Sequence, residues 1–195
     1  MSVRDSAANL LVVPADVGWQ HRGKELAEQL LAALAPLALR VEHIGSTAIP
    51  GMAAKPVFDM QVSVADLEAA ATAFDGPLAS LGFTRLPYQQ DHVPAGYDDP
   101  PRLWAKRFWL RRNLGADVNL HCRVAGSPNE RLALLFRDWF RAHPQAVPAY
   151  ARFKEVLAAA VDDLGVYTEV KDPVVDLIGA VAEEWAATTS WSPRH

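Results

Sequence analysis

Apolar positions recur along the chain with two distinct periods. Leu26, Leu30, Leu34 and Leu37 follow helical spacing, with Lys24, Glu25 and Glu28 on the other side. This predicts a helix opening after Asp16, a good N-cap residue, and closing at Pro36. The helix feeds a first strand near 39–45. From Phe58 the period falls to two: Phe58, Met60, Val62 and Val64 alternate with Asp59, Gln61 and Ser63. One face of that strand is therefore apolar and the other carries Asp59 and Gln61. Ser63-Val-Ala-Asp66 reads as a capping box with Asp in place of Glu, opening an Ala-rich helix to about Phe74. Asp75-Gly76-Pro77 predicts a break, with a short helix from Pro77 to Gly82. A short strand over 83–88 and a loop over 89–101, rich in Asp, Pro and Gly, follow.

Leu103–Arg112 alternates again. Trp104, Phe108 and Leu110 share one face with Lys106, while Arg107, Trp109 and Arg111 share the other. After a turn at Asn113-Leu-Gly115, Val118, Leu120, Cys122 and Val124 alternate with Asp117, Asn119, His121 and Arg123. The two segments predict an antiparallel hairpin beside the central strand. The last third is helical. Ser127-Pro-Asn-Glu130 is a capping box, and Leu132, Leu135, Phe136, Trp139 and Phe140 form the stripe of the helix it starts. A second helix is expected over about 148–164 with Gly165 as its stop, and a third from Asp172-Pro173, carrying Val174, Leu177, Ile178, Val181 and Trp185. Val12, Val13 and Pro14 suggest an edge strand or docked arm within 1–15, and the tail after Ala187 lacks periodicity. The expected class is α/β (α+β): a mixed sheet with flanking helices over about 10–125, then a C-terminal helical bundle over about 127–187, in one domain.

Composition narrows the partners more than the fold. The 195 residues are 50% hydrophobic and 22% charged, with net charge −4 and pI about 5.8, so wholesale electrostatic binding to nucleic acid is disfavoured. The lone Cys122 reads as a buried small hydrophobe in a reducing cytosol. No apolar run reaches membrane-spanning length and no secretory leader pattern opens the chain, so a cytoplasmic protein is expected.

The candidate chemistry gathers around the central strand. Gly45 allows close backbone approach, Ser46 and Thr47 supply hydroxyls and N–H donors, and Lys55 offers a cation, together suggesting a phosphate site. If the two polar strand faces coincide, Asp59, Gln61, Asn119 and His121 line one groove and could hold Mg2+ or Mn2+. Asp59, His121 and Lys55 are the candidate catalytic residues, with His121 a possible base and Asp117 a possible further ligand. The same residues would also suit a solvated sheet face or a satisfied polar network. His43 could contact a base or make a structural hydrogen bond. Lys106, Arg107, Arg111, Arg112 and Arg123 form a basic cluster on the hairpin. Tyr150 and Lys154, four apart, share a helix face from which Lys154 could reach phosphate and Tyr150 stack on a base.

The run His43-Ile-Gly-Ser-Thr-Ala-Ile-Pro-Gly-Met-Ala-Ala-Lys-Pro-Val-Phe-Asp59 resembles the signature of the GrpB family. Asp117-Val-Asn-Leu-His121, Phe136 to Pro144, Tyr150 with Lys154, and Tyr167-Thr-Glu-Val-Lys171 extend the resemblance over roughly 10–186. The resemblance implies a nucleotidyltransferase-like fold in which a Gly-Ser turn, here Gly45-Ser46, holds nucleotide phosphates. It also implies two metal-binding carboxylates one residue apart; Asp59 fits the first, and Gln61 departs from the second. Two functions follow as expectations. One is metal-dependent transfer of a nucleotidyl or phosphoryl group from a nucleoside triphosphate to an unknown acceptor. The other is a non-catalytic nucleotide-binding or partner-stabilising module, since GrpB-like domains resemble the segment fused to dephospho-CoA kinase in some bacteria.

Overall fold

A computed structural model describes residues 11–112 and 115–193. The expected Asn113–Leu114 turn lies outside the described residues. Helix α1 (Trp19–Leu34) leads into β1 (Ala38–Ile44). A 3-10 turn over Ser46–Ala48 then precedes β2 (Val57–Val64), followed by α2 (Leu67–Ser80) and β3 (Thr84–Leu86). Strands β4 (Lys106–Arg111) and β5 (Asp117–Val124) form the hairpin. Helices α3 (Pro128–Ala142), α4 (Val147–Ala160) and α5 (Leu164–Thr189) complete the chain.

The five strands form one mixed sheet in the order β1-β2-β5-β4-β3, in which only β2 and β5 are parallel. This is the mixed sheet with flanking helices that the patterning implies. The period-two alternation decides its faces. Phe58, Met60, Val62, Trp109, Val118, Leu120 and Cys122 point to one side and join Leu26, Leu30, Phe74 and Leu78 of α1 and α2 in the main core. Burial pushes the Cys122 thiol up to about 12, so it stays a neutral core side chain. A second core joins Ile49 and Met52 of the turn segment to Phe140, Val147 and Tyr150 of α3 and α4. Val13 pairs with Ala54 in an isolated antiparallel bridge, so this part of the N-terminal segment docks. Among the described residues no helix is long and apolar enough to cross a membrane.

Several local expectations yield to packing. Pro77 lies inside α2, and no break occurs at Asp75-Gly76, because Phe74 and Leu78 on either side are both fully buried. The N-cap of α2 is Asp66 itself, accepting from the N–H groups of Glu68 and Ala69, while Ser63 remains in β2. Gly165 does not stop a helix; it sits in the first turn of α5, whose N-cap Asp163 accepts from Val166 N–H. Pro173 lies within the same continuous helix. An internal proline costs roughly 3 kcal/mol, and the contacts of Val174, Ile178, Ala182 and Ala186 with two cores offset it. The capping box at Ser127 does not form in the expected sense. Ser127 is the N-cap but its hydroxyl accepts from no helix N–H, lying instead against the Val124 carbonyl and Asn129 Oδ1, and Glu130 turns inward to Arg40 and Ser63.

Candidate functional site

The polar side of the sheet has two zones. Near the C-terminal ends of β2 and β5, the start of α3 covers it. There the Gln61 side chain, fully buried, donates to the Glu130 carbonyl at 3.2 Å and accepts from the Arg123 guanidinium. Ser63 donates to Glu130 at 2.6 Å, and Asp91 from the long loop accepts from Lys106 at 2.7 Å, Arg123 at 2.8 Å and Asn129 at 2.9 Å. Burial resists the charge on Asp91, but Arg123 and Lys106 hold its carboxyl far below the usual range. This zone is closed.

Toward the other end of the strands the face opens into a groove of about 1160 Å³, walled on its far side by α4 and the first turns of α5. In-register pairing places Asp59 beside Asn119 and Gln61 beside His121. Asn119 Nδ2 donates to Asp59 Oδ1 at 2.8 Å, and Arg112 donates to Asn119 Oδ1 at 2.7 Å, so a guanidinium–amide–carboxylate chain fixes the aspartate. His121 Nε2 stands 3.9 Å from Asp59 Oδ1. Burial opposes ionisation of Asp59, yet His121, Asn119 and Lys171 together keep its pKa below the ordinary value. Burial, reinforced by Arg123, lowers the His121 pKa to about 4, so at neutral pH the pair is a carboxylate beside a neutral imidazole. Gly45, at φ 70°, passes directly over this carboxylate: a Cβ there would lie 2.4 Å from Asp59 Oδ2. The glycine is needed because the turn and the aspartate share the same space.

The wall opposite Asp59 carries Lys154 and Lys171 together with Asp163, Glu169 and Asp172. Lys154, 3% exposed, donates to Ser46 Oγ at 2.8 Å and lies over the Tyr150 ring. Burial, and next Lys171, lower its pKa to about 7. Among the described residues Lys154 forms no ion pair within 4.0 Å. Lys171 and Lys55 line the same groove, and Lys55 sits over the Tyr167 ring at 5.0 Å. Ser46 and Lys55, from the segment between β1 and β2, and Lys154, from α4, thus line one groove.

Other candidates go elsewhere. His43 projects to the helix-covered face, where its Nε2 pairs with Thr47 Oγ1 at 2.9 Å and its ring lies 5.3 Å from Phe58. A Cβ on Gly23 of α1 would collide with its ring at 2.0 Å. Burial lowers the His43 pKa to about 4. Thr47, 1% exposed, spends its hydroxyl on the Val57 carbonyl at 3.0 Å. The placing of His43 and Thr47 in the nucleotide site is therefore corrected: both brace the turn from behind. The placing of Tyr150 as a base-stacking group is corrected likewise, because its ring belongs to the second core. The basic cluster disperses, with Arg107 paired to Glu68 and Arg123 to Asp91, leaving only Lys106 and Arg112 at the groove.

The donor set proposed for a divalent metal does not assemble. The Gln61 oxygen faces Arg123 and the Asn119 oxygen faces Arg112, so two of the four intended ligands already accept from guanidinium groups. Asp117 lies 3.7 Å from Arg112. Among the described residues no three His, Cys, Asp or Glu side chains gather as a metal-binding cluster. Of the four intended ligands only Asp59 is a carboxylate, a poor fit to a protein-held divalent ion at this face. The groove residues to which sequence reasoning gave no role are Lys171, grouped with Tyr150, Lys154 and Tyr167 near the C-terminal helices, and the pair Tyr88 and Phe108 on the β3–β4 side.

Comparison with known proteins places these features in a lineage. The profile of the family described as "GrpB protein" matches residues 9–180. A dephospho-CoA kinase of Mycolicibacterium paratuberculosis is 35% identical over 99% of this chain and 51% of its own length, so the chain spans about half of that relative. The UPF0157 protein YqkA of Bacillus subtilis is 32% identical over 86% of this chain and 45% of its own length. The UPF0157 protein BH1888 of Halalkalibacterium halodurans is 30% identical over 77% and 70%. In structure, the chain is similar to the conserved protein GrpB from Enterococcus faecalis, with a TM-score of 0.73 and 24% identity, covering 90% of this chain and 99% of that one.

Proposed function

This chain belongs to the GrpB family, and from that premise we propose that its groove binds a nucleotide by its phosphates, at the pole formed by Ser46, Lys154, Lys171 and Lys55. The observation that carries this reading is Lys154. A lysine removed from water normally meets a carboxylate in contact; this one bonds a hydroxyl and lies over an aromatic ring, while Asp59 and Glu155 act on it from beyond ion-pair reach and Lys171 and Lys55 oppose its charge. An incoming phosphate supplies the missing counter-charge. Because the residues around Asp59 do not form a metal sphere, phosphate is held here by ammonium groups and the Ser46 hydroxyl, with no protein-bound cation required.

A second reading, transfer of a nucleotidyl or phosphoryl group, is favoured by the neutral imidazole of His121 beside ionised Asp59. His121 would accept the proton of an acceptor hydroxyl as its oxygen attacks phosphorus. The phosphate chain would depart with the broken P–O bond pair, and the Asp59 carboxylate would stabilise the imidazolium. The binding reading also has a partner form. Since relatives named dephospho-CoA kinase extend well beyond the matched region, a dephospho-CoA kinase is the natural candidate for what this module would support.

Calorimetric titration of ATP and GTP, with and without Mg2+, tests these readings. Binding without Mg2+ is expected, weakened at least about tenfold in Lys154→Met, as for loss of a charge-assisted contact, and little changed in Asp59→Asn. No binding by the wild type, or binding indifferent to Lys154→Met, contradicts the phosphate pole. Binding that needs Mg2+ and disappears in Asp59→Asn would restore a metal-dependent site.

A further inference from the structure

The floor of the groove on the β4–β3 side is apolar. Register pairing lines up Leu86 with Phe108 and Phe108 with His121, and sets Leu110 beside Asn119, so these side chains share the face that carries Asp59. The core lies on the opposite face, so they are not needed to fill it. Tyr88, 59% exposed, stands edge-on to Phe108 at 6.0 Å, and the Phe108 ring approaches His121 at 4.8 Å. Lys106 Nζ caps Phe108 at 5.4 Å while its charge is held by Asp91. Apolar and aromatic side chains turned toward water beside a charged site incur roughly 25 cal/mol per Å² of exposed surface. Contiguous patches of this kind mark binding surfaces.

We propose that Tyr88 and Phe108, over a base of Leu86 and Leu110, form a stacking subsite for the flat heteroaromatic ring of the nucleotide whose phosphates lie at the lysine pole. The occupant follows from continuity: the shelf and the pole are two ends of one groove. Asp59 on β2 and Phe108 on β4 are two strand spacings and two residues of register apart, about 12 Å, a separation that a nucleoside with a short phosphate chain bridges. The rim between them, Arg112 and Asn119, offers polar groups but no enclosing side chain selective for one base, which points to ring stacking with weak base discrimination. This inference rests on the phosphate-pole reading above.

The test compares ATP with tripolyphosphate, which has the anion but no ring, in one buffer. Wild type should bind ATP roughly tenfold or more tightly than tripolyphosphate, the order of one aromatic stack. Tyr88→Ala and Phe108→Leu should each reduce that ratio toward one without changing tripolyphosphate affinity, and Tyr88→Phe should retain it. Equal affinities in the wild type, or a ratio unmoved by both Tyr88→Ala and Phe108→Leu, overturns the ring subsite while leaving the phosphate pole standing. Failure of both ligands to bind overturns the pole and the subsite together. Thermal unfolding of each variant, expected near wild type for these non-core positions, separates lost contact from lost fold.

Discussion

Two clusters of buried charge lie on the same side of the sheet, one at each end of β2, and they are built on opposite principles. Around Gln61 and Ser63, each cation meets an anion: Arg123 and Lys106 meet Asp91, and Arg40 meets Glu130. Apart from Arg40 Nε and the amide-to-carbonyl bond of Gln61, the groups bond to one another as charge-assisted pairs. Around Asp59, Lys154 and Lys171 act on a carboxylate whose Oδ1 already accepts from Asn119 and faces His121, and Lys55, Asp163, Glu169 and Asp172 line the same groove. Burial cost is common to both zones. The first is compensated within the chain and ties the long loop, the hairpin and α3 together. In the second, Lys154 forms no ion pair within 4.0 Å among the described residues and faces an open groove, which on the reading proposed above suits an anion from outside.

Mutations that treat the two clusters alike should therefore give unlike results. The largest effect is expected in the closed zone. Glu130→Ala strands Arg40 and the Ser63 hydroxyl and should cost about 3–5 kcal/mol in urea unfolding; a loss below about 1 kcal/mol would mean that the network contributes little.

An intermediate effect concerns the two histidines, both lowered to about 4 by burial. Between pH 6.5 and 4 the unfolded chain binds protons that the folded chain does not, so stability rises with pH across this window and is lost on acidification, by up to about 1.4 kcal/mol per pH unit per histidine. Unfolding followed from pH 4 to 7 should show this slope. His43→Gln should remove one proton's share of it, and a wild-type slope near zero would contradict the burial. Ligand should shift the His121 titration and leave that of His43 unmoved, because only His121 faces the groove.

The smallest effect is expected from Lys154→Met. Since its folded pKa, about 7, lies below the unfolded one, the lysine destabilises the fold below its unfolded pKa, and stability from this group rises with pH above about 7. Replacing it should not cost stability at neutral pH, because relief of the buried charge, at most about 4 kcal/mol by linkage, opposes the lost hydroxyl contact and packing. A loss like that of Glu130→Ala would erase the contrast between the zones.

Much of the fold was legible in the alternation alone. The two-residue period of β2 and β5 announced both faces, and in-register pairing delivered Asp59, Asn119 and His121 to one of them. What one strand cannot announce is its cover. Gln61 obeys the same alternation as Asp59, but α3 seals the one and leaves the other open. His43, one residue from the turn, falls on the far face because Ile44, not His43, pairs with Asp59. Local signals failed where distant packing was stronger, as at Pro77 and Pro173 inside helices, and at Glu130, drawn from its capping position into the network. The aromatic shelf was within reach of the sequence. Once the hairpin register is fixed, Phe108 must share a face with His121, but its apolar character pointed to the core instead.

On the phosphate-pole reading, Lys154 is a buried ammonium that gains a contacting counter-charge only when an anion arrives. A lysine-resolved NMR titration of its side chain, repeated with saturating tripolyphosphate, tests this most directly. The predicted result is a midpoint near 7 in the free protein, moving upward by more than one pH unit when the anion is bound. A free-protein midpoint near the ordinary lysine value of about 10.4, unmoved by the anion, would contradict it.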